Sequence, residues 1–289
     1  LGQAARFIGG TLIFNSINLL IHLYRLCDPS KDNQAVKRIV ILGFGGIGNH
    51  VALTPALQHL KAAYPAANII FFAGSKTCVE LLNNEPSIDS FHVMDIGHMQ
   101  SLKNFAKAGR KIKAWRPHVV IAAAGTDPVK GSIISFFSGA NYRVGEDWHG
   151  RGFLYTHRIK VDLGISEGEQ NRKLANLIAK NDSTIKPRII LSPAEIDGAR
   201  YWLDGLNIPA GRKILGIHPG SGKYQQWKRW DLINFINVSN AMSVTQKAVP
   251  IFFLGPEEKD LYLELKKEDT GNFHLSFETE SIRKTAAKI

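Results

Sequence analysis

Cysteine is scarce: Cys27 and Cys78 are the only two in 289 residues. Two thiols so far apart build neither a disulfide framework nor a metal site, and their low number fits a reducing compartment. The ten histidines show no ligand spacing, so no metal is expected. Acidic residues fall short of basic ones, 25 against 36, which leaves a formal charge of +11. That surplus predicts attraction to an anion, whether nucleic acid, an acidic membrane face or a phosphorylated substrate. Nucleic acid is the least supported partner, because the chain lacks an RNA-binding aromatic signature, zinc-finger spacing and a helix-turn-helix pattern. Internal repeats and low-complexity tracts are also missing.

No apolar run of spanning length is free of strongly polar groups. Residues 7 to 26 come nearest, but Thr11, Asn15, Asn18, His22 and Arg25 recur at alternating spacings of four and three. On a helix those five form one narrow stripe. A spanning helix would carry that row at high cost. An amphipathic helix lying in the membrane surface, or covering a domain or a partner subunit, suits it better. No small-residue cleavage site follows, so a secretory signal is not expected. Residues 1 to 35 are therefore read as an N-terminal amphipathic helix and linker.

What is present describes a globular α/β protein. Hydrophobic residues make up 44% of the chain and charged residues 21%, and the length suits two domains. Compact apolar runs at residues 38 to 42, 68 to 73, 91 to 94 and 118 to 123 read as strands, with helical stretches such as 101 to 115 between them. This alternation predicts a parallel sheet covered on both faces, over residues 36 to 186. Residues 187 to 212, with a short strand and a helix near 194 to 203, read as an interdomain linker. The pattern then restarts over residues 213 to 289, with strands at 213 to 218, 249 to 254 and 273 to 277. The chain starts at Leu1 and stops at Ile289 inside a helical pattern, so a fragment with an incomplete second domain is expected.

Two glycine-rich turns carry the chemistry. Gly43-x-Gly45-x-x-Gly48 follows a strand and opens a helix, which matches the dinucleotide fingerprint. An NAD(P)-dependent oxidoreductase would also place an acidic residue at the end of the second strand, where this chain has Phe72-Ala73-Gly74-Ser75-Lys76. The second turn is Gly216-Ile217-His218-Pro219-Gly220-Ser221-Gly222, followed by Trp227-Lys228-Arg229-Trp230. Small residues before a helix let backbone N–H groups converge on an anion, with Lys228 adding a full charge. Trp227 and Trp230 either stack on a base or pack.

The first turn with its flanks, Arg38-Ile39-Val40-Ile41-Leu42-Gly43-Phe44-Gly45-Gly46-Ile47-Gly48-Asn49-His50 running on to Leu57, resembles the start of glycosyltransferase family 9, the heptosyltransferases of lipopolysaccharide synthesis. The second turn, and Phe252-Phe253-Leu254-Gly255-Pro256-Glu257 after it, resemble that family's second-domain motif. The resemblance covers most of residues 37 to 289. It implies two Rossmann-like domains facing a cleft, the GT-B arrangement, with donor on the second domain and acceptor on the first. It implies an inverting, metal-independent transfer of a heptose-like sugar from a nucleotide-diphosphate donor to an anionic glycolipid such as a lipopolysaccharide core. The nucleotide sugar is then a substrate, and no cofactor is implied. The enzyme would work at the inner face of the cytoplasmic membrane, held there by its N-terminal helix.

Site residues follow by the same resemblance. Lys228 would neutralise the donor diphosphate, Ser221 with Gly220 and Gly222 would hydrogen-bond it, and Glu257 would hold the ribose hydroxyls. Gly45 and Gly46 belong to the first turn's binding loop. Where the family carries an aspartate thought to deprotonate the acceptor, this chain has Asn49, and an amide is no general base. Either His50 takes the proton, or another carboxylate such as Asp127 does, or the chain is a non-catalytic sugar-nucleotide or glycan-binding homologue. The downstream Asp-Ser-Gly and His segment of the family would begin after Ile289.

Charge patterning adds an acceptor side. Lys103, Lys107, Arg110, Lys111, Lys113 and Arg116 read as a solvated helix face. Arg143 and Arg151 flank Gly145-Glu146-Asp147-Trp148-His149-Gly150, which reads as a substrate-binding loop. The two arginines are expected to meet phosphates or carboxylates of the acceptor.

Overall fold

The computed structural model describes residues 36–95, 101–179, 186–221, 226–245, 247–268, 271–279 and 281–289. The N-terminal helix and Gly222 lie outside the described residues. The chain divides into two compact units, Leu1–Ile190 and Leu191–Ile289.

In the first unit, the near-continuous apolar runs at residues 39–42, 69–73 and 119–122 form central strands buried on both faces, as a parallel sheet requires. The order along the chain is β1 (Arg38–Gly43), α1 (Ile47–Ala63), β2 (Asn68–Ala73), α2 (Lys76–Leu82), β3 (Ser90–Val93), α3 (Leu102–Lys113), β4 (Val119–Ala122), α4 (Pro128–Phe137), β5 (Tyr142–Asp147), β6 (His157–Lys160) and α5 (Glu167–Ala179). The strands lie in the order β3-β2-β1-β4-β5-β6, every neighbouring pair parallel. Successive strand residues point to opposite faces, so the unit has two cores. Ile39, Ile41, Ile69, Phe71, Val119 and Ile121 pack with Leu53, Leu57 and Leu60 of α1 and Leu174 and Ile178 of α5. Val40, Leu42, Ile70, Phe72 and Val120 pack with Phe105, Ala108 and Ile112 of α3 and Ile133 and Ile134 of α4. Helix α3 buries only that apolar stripe, and its six expected basic residues line the exposed side and the turn beyond.

The sheet corrects one expectation. Gly145, Glu146 and Asp147 are strand residues of β5, paired with Arg158, Ile159 and Lys160 of β6, and not part of a loop. Their polarity hid the strand. Only Trp148, His149 and Gly150 of the expected loop follow it.

The second unit opens with α6 (Pro193–Asp204), followed by β7 (Lys213–Ile217), a 3₁₀ turn (Gln226–Lys228), α7 (Leu232–Val244), β8 (Ala248–Leu254), a second 3₁₀ turn (Pro256–Glu258), α8 (Lys259–Lys267), β9 (His274–Phe277) and α9 (Ile282–Lys288). Its strands are parallel in the order β7-β8-β9. Ile217, Ile236, Phe252, Leu254, Leu265 and Phe273 form its core. Helix α6 falls inside the stretch read as a linker, yet it belongs to this unit. Ser192 caps it, and Glu195 both closes the capping box and grips Arg283 of α9, with a nitrogen–oxygen distance of 2.7 Å.

Candidate active site

In an open parallel sheet, ligands bind beyond the carboxyl ends of the strands, where the strand order reverses. Here that point lies between β1 and β4, and the turns leaving these strands hold Asn49 and Gly125. The Asn49 amide is used at both ends. Its Oδ1 accepts from the Gly46 N–H at 2.8 Å, and its Nδ2 donates to Glu167 Oε2 at the start of α5. Gly125 has φ +82, and a Cβ on it would lie 2.4 Å from Asn49 Nδ2. Only glycine fits that backbone and that approach. Its N–H donates to Glu146 Oε2 at 3.3 Å, while the neighbouring Ala124 N–H donates to Asn171 Oδ1 at 2.8 Å. Glu167 and Asn171, one helical turn apart, thus hold Asn49 of α1 and the β4–α4 loop respectively.

Glu146 closes this group from behind. It is 7% exposed, and its Oε1 has no hydrogen-bond partner. Burial raises its carboxyl pKa, the Gly125 N–H pulls it back, and the nearby Glu167 charge raises it further. Two carboxyl groups therefore flank Gly125, one buried and one exposed at the helix start.

His50 does not face this opening. It is 1% exposed, with Nδ1 on the Gly46 carbonyl at 2.7 Å and Nε2 on the Gly43 carbonyl at 3.2 Å. Burial lowers its pKa, but the Cys78 thiol and the two carbonyls outweigh that and leave it raised. Cys78 is shifted the other way. Burial raises it, and hydrogen bonds to His50 and Ser75 bring it below the ordinary thiol value. His50 is a buried packing and hydrogen-bonding residue, out of reach of a hydroxyl on the surface. Asp127 is committed as the cap of α4, accepting from Val129 and Lys130 N–H groups at 3.0 Å. Gly45 and Gly46 lie on the turn as expected, but the Gly46 N–H is used by Asn49.

The structure separates Arg143 from Arg151. Arg143 lies near the start of β5 and clamps the Leu154 and Ala140 carbonyls at 3.0 and 2.7 Å, over the Phe136 ring. Its guanidinium is tied to the backbone at the amino end of the sheet, away from Arg151. Arg151 is exposed beyond the carboxyl end of β5.

In the second unit, Arg229 organises the glycine turn: its Nε donates to Ser221 Oγ at 3.1 Å and its NH2 group to the Ser221 carbonyl at 3.0 Å. His218 Nδ1 meets the Phe253 carbonyl at 2.9 Å, fixing the end of β7 on β8. A Cβ on Gly220 would lie 2.5 Å from Glu258 Oε1, so a side chain there would displace the Glu258 carboxyl. Glu258 is buried and accepts from the Gly255 N–H at 3.0 Å, whereas Glu257 beside it is exposed. Lys228 is exposed on the 3₁₀ turn, its Nζ 5.2 Å from the Trp227 ring centroid. Trp227 is 79% exposed, so it does not pack, while Trp230 meets Phe235 edge-on at 5.2 Å. Ser221 is half-exposed, and Lys228 and Glu257 are exposed.

The model of glycosyltransferase family 9 (heptosyltransferase) matches residues 106–276, more than half of the chain. The chain belongs to glycosyltransferase family 9. Solved structures agree in fold. A glycosyl transferase family 9 protein from Veillonella parvula superimposes with a TM-score of 0.71 at 18% identity, over 87% of this chain and 73% of that one. The ADP-heptose lps heptosyltransferase II of E. coli gives 0.64 at 17% identity, over 87% and 76%. E. coli heptosyltransferase WaaC with ADP-2-deoxy-2-fluoro heptose gives 0.61 at 14%, over 86% and 79%. No curated protein sequence matches the chain. The fold is the GT-B class, built of two Rossmann-like α/β units, and the protein is a glycosyltransferase.

The contacts of four residues of this glycosyltransferase escape the sequence: Glu146, Glu167, Arg229 and Glu258. Glu167 had a local signal, since Ser166 and Glu169 mark a helix start and Ser166 Oγ does accept from the Glu169 N–H at 3.2 Å. Its contact with Asn49 spans 118 residues of chain, and no local pattern encodes that. Among the described residues no group of His, Cys, Asp and Glu is arranged to hold a metal ion, and no helix is long and apolar enough to cross a membrane.

Proposed function

We propose that this glycosyltransferase moves a heptose-like sugar, with inversion and without a metal, from a nucleoside-diphosphate donor to an anionic glycolipid such as a lipopolysaccharide core. The donor belongs to the second unit and the acceptor to the first. The observation that carries the donor assignment is the glycine turn at Gly220 and Ser221, held open by Arg229 and followed by exposed Lys228 and Glu257. A diphosphate leaving group gains negative charge as the glycosidic bond breaks. Fixed N–H groups and a lysine stabilise that charge. In this assignment Lys228 neutralises the diphosphate, Ser221 with Gly220 and Gly222 hydrogen-bonds it, and Glu257 takes the ribose hydroxyls. The ADP-heptose analogue named with WaaC makes ADP the first nucleotide to try. Arg151 and the positive charge of the whole chain favour an anionic acceptor, and the inner membrane face is where such a glycolipid would be met.

Calorimetry with ADP, and separately with NADH and NADPH, tests the donor site. ADP is expected to bind, and Lys228→Ala to weaken it roughly 10- to 100-fold, the worth of one charge-assisted contact. Tight dinucleotide binding with no response to ADP would overturn the proposal in favour of an oxidoreductase.

A further inference from the structure

Transfer of a sugar to a hydroxyl releases a proton, and the residue at the expected place, Asn49, cannot take it. We propose that Glu167 is the general base of this enzyme and that Asn49 is a positioning residue which holds it. The inference rests on the transferase reading given above.

Placement and elimination carry it. The acidic side chains around the carboxyl end of β1, β4 and β5 are Asp127, Glu146, Asp147 and Glu167. Asp127 caps α4 through two N–H groups. Asp147 accepts from the Gly152 N–H at 3.1 Å and faces Arg158 at 3.4 Å. Glu146 is buried behind Gly125. Glu167 is exposed, as is Asp127, but unlike Asp127 it is engaged by no backbone N–H, lysine or arginine among the described residues. Its Oε2 accepts from Asn49 Nδ2, and its Oε1 lies on the side of Gly125, 3.5 Å from where a Cβ there would sit. The carboxylate is thus steered by a neutral donor and left open to solvent over a glycine.

Asn49 and Glu167 fit each other as a pair. An aspartate at position 49 would set two negative charges in contact. The amide instead donates to Glu167 while its oxygen is pinned by Gly46. Glu146, nine-tenths buried with its Oε1 unpartnered, marks this place as built for more than packing, since such an atom costs stability. Burial favours the protonated form of Glu146.

The step balances. As the acceptor oxygen bonds to the anomeric carbon, its proton passes to the Glu167 carboxylate. The bond from the anomeric carbon to the diphosphate oxygen breaks with its electron pair, and the nucleoside diphosphate leaves as an anion. Glu167 ends the step as a carboxylic acid and gives its proton to water.

The test compares wild type, Glu167→Gln and Asn49→Asp in two measurements. The first is ADP binding by calorimetry. The second is the pH dependence of kcat with ADP-heptose as donor and a heptose-free lipopolysaccharide core as acceptor, with ADP release to water followed in parallel. The titratable group coupled to Glu167 is Glu146 on β5, and the Tyr155 hydroxyl behind it feels the charges of Glu146 and of Asp127 at the start of α4. Glu167→Gln is expected to bind ADP like wild type, to lose roughly 10²- to 10⁴-fold in kcat, and to lose the acidic limb of the profile. Asn49→Asp is expected to move that limb to higher pH, which a purely structural Asn49 would not do. ADP binding with an unimpaired Glu167→Gln overturns the inference alone, as does a wild type that binds ADP yet transfers to neither core nor water. Failure of wild type to bind ADP overturns the transferase reading itself, and this inference with it.

Discussion

Glu146 is a carboxyl held where its charged form is disfavoured, so its cost depends on pH. Burial comes first among the causes that raise its folded pKa, followed by the opposing Gly125 N–H and then the Glu167 charge. A carboxyl whose folded pKa lies above its unfolded one favours the folded state at low pH, and that contribution is lost as pH rises through the folded value. Glu146→Gln should therefore stabilise the protein by about 1 kcal/mol at pH 7.5, and the gain should vanish toward pH 4 in urea titrations followed by circular dichroism. Gly125 makes the converse case. With φ +82 and Asn49 Nδ2 only 2.4 Å from any added Cβ, Gly125→Ala should cost about 2 kcal/mol and push the Asn49 amide off Glu167. The side-chain amide signals of Asn49 by NMR report that displacement directly.

At the scale of elements, α6 and α9 are joined by one ion pair that also caps a helix. Arg283 is 4% exposed, and its guanidinium lies on both oxygens of Glu195, whose carboxyl is held at about 2, first by that contact and also by Ser192. A depressed carboxyl pKa contributes stability above its unfolded value of about 4.5, and the contribution disappears as pH falls toward 2. Arg283→Ala should then lose about 2–3 kcal/mol at pH 7, and the gap to wild type should narrow between pH 4.5 and 2. A gap independent of pH would show that the pair does not hold these helices together. Sequence could not reveal this contact, because Glu195 and Arg283 lie 88 residues apart. It did reveal the elements whose signal is local. The apolar runs of β1, β2 and β8 are uninterrupted and were read within a residue of their bounds, as was the capped start of α3. The carboxyl half of strand β5, Gly145 to Asp147, reads as loop because Glu146 and Asp147 break its apolar pattern, and polar residues at the carboxyl ends of strands are where a site of this kind is made. Both glycine turns were legible for the same local reason. The groups that complete them, Glu167 on Asn49 and Arg229 on Ser221, needed the fold.

The whole molecule consists of two units, each with its own core, and each carries one of the two glycine turns that the sequence offers as a nucleotide site. Hydrogen exchange can tell which turn is used, because binding slows the opening of the region it contacts. With ADP at one hundred times its Kd, the bound state gains about 2.7 kcal/mol, and exchange through openings that release the ligand should slow by up to about 100-fold. On the proposed reading this protection falls on residues 218–221, 226–230 and 255–258 of the second unit, while residues 44–49 and 124–127 of the first keep their rates until a core acceptor is added. The opposite pattern, with ADP or NADPH protecting residues 44–49, would assign the nucleotide to the first turn and return its Gly43-x-Gly45-x-x-Gly48 spacing to a dinucleotide role. Salt supplies an independent check. The formal charge of +11 makes association with an anionic core fall as ionic strength rises and the Debye length shrinks from about 10 Å at 0.1 M toward about 3 Å at 1 M. ADP, gripped locally by Lys228 and the Ser221 turn, should lose much less over the same range.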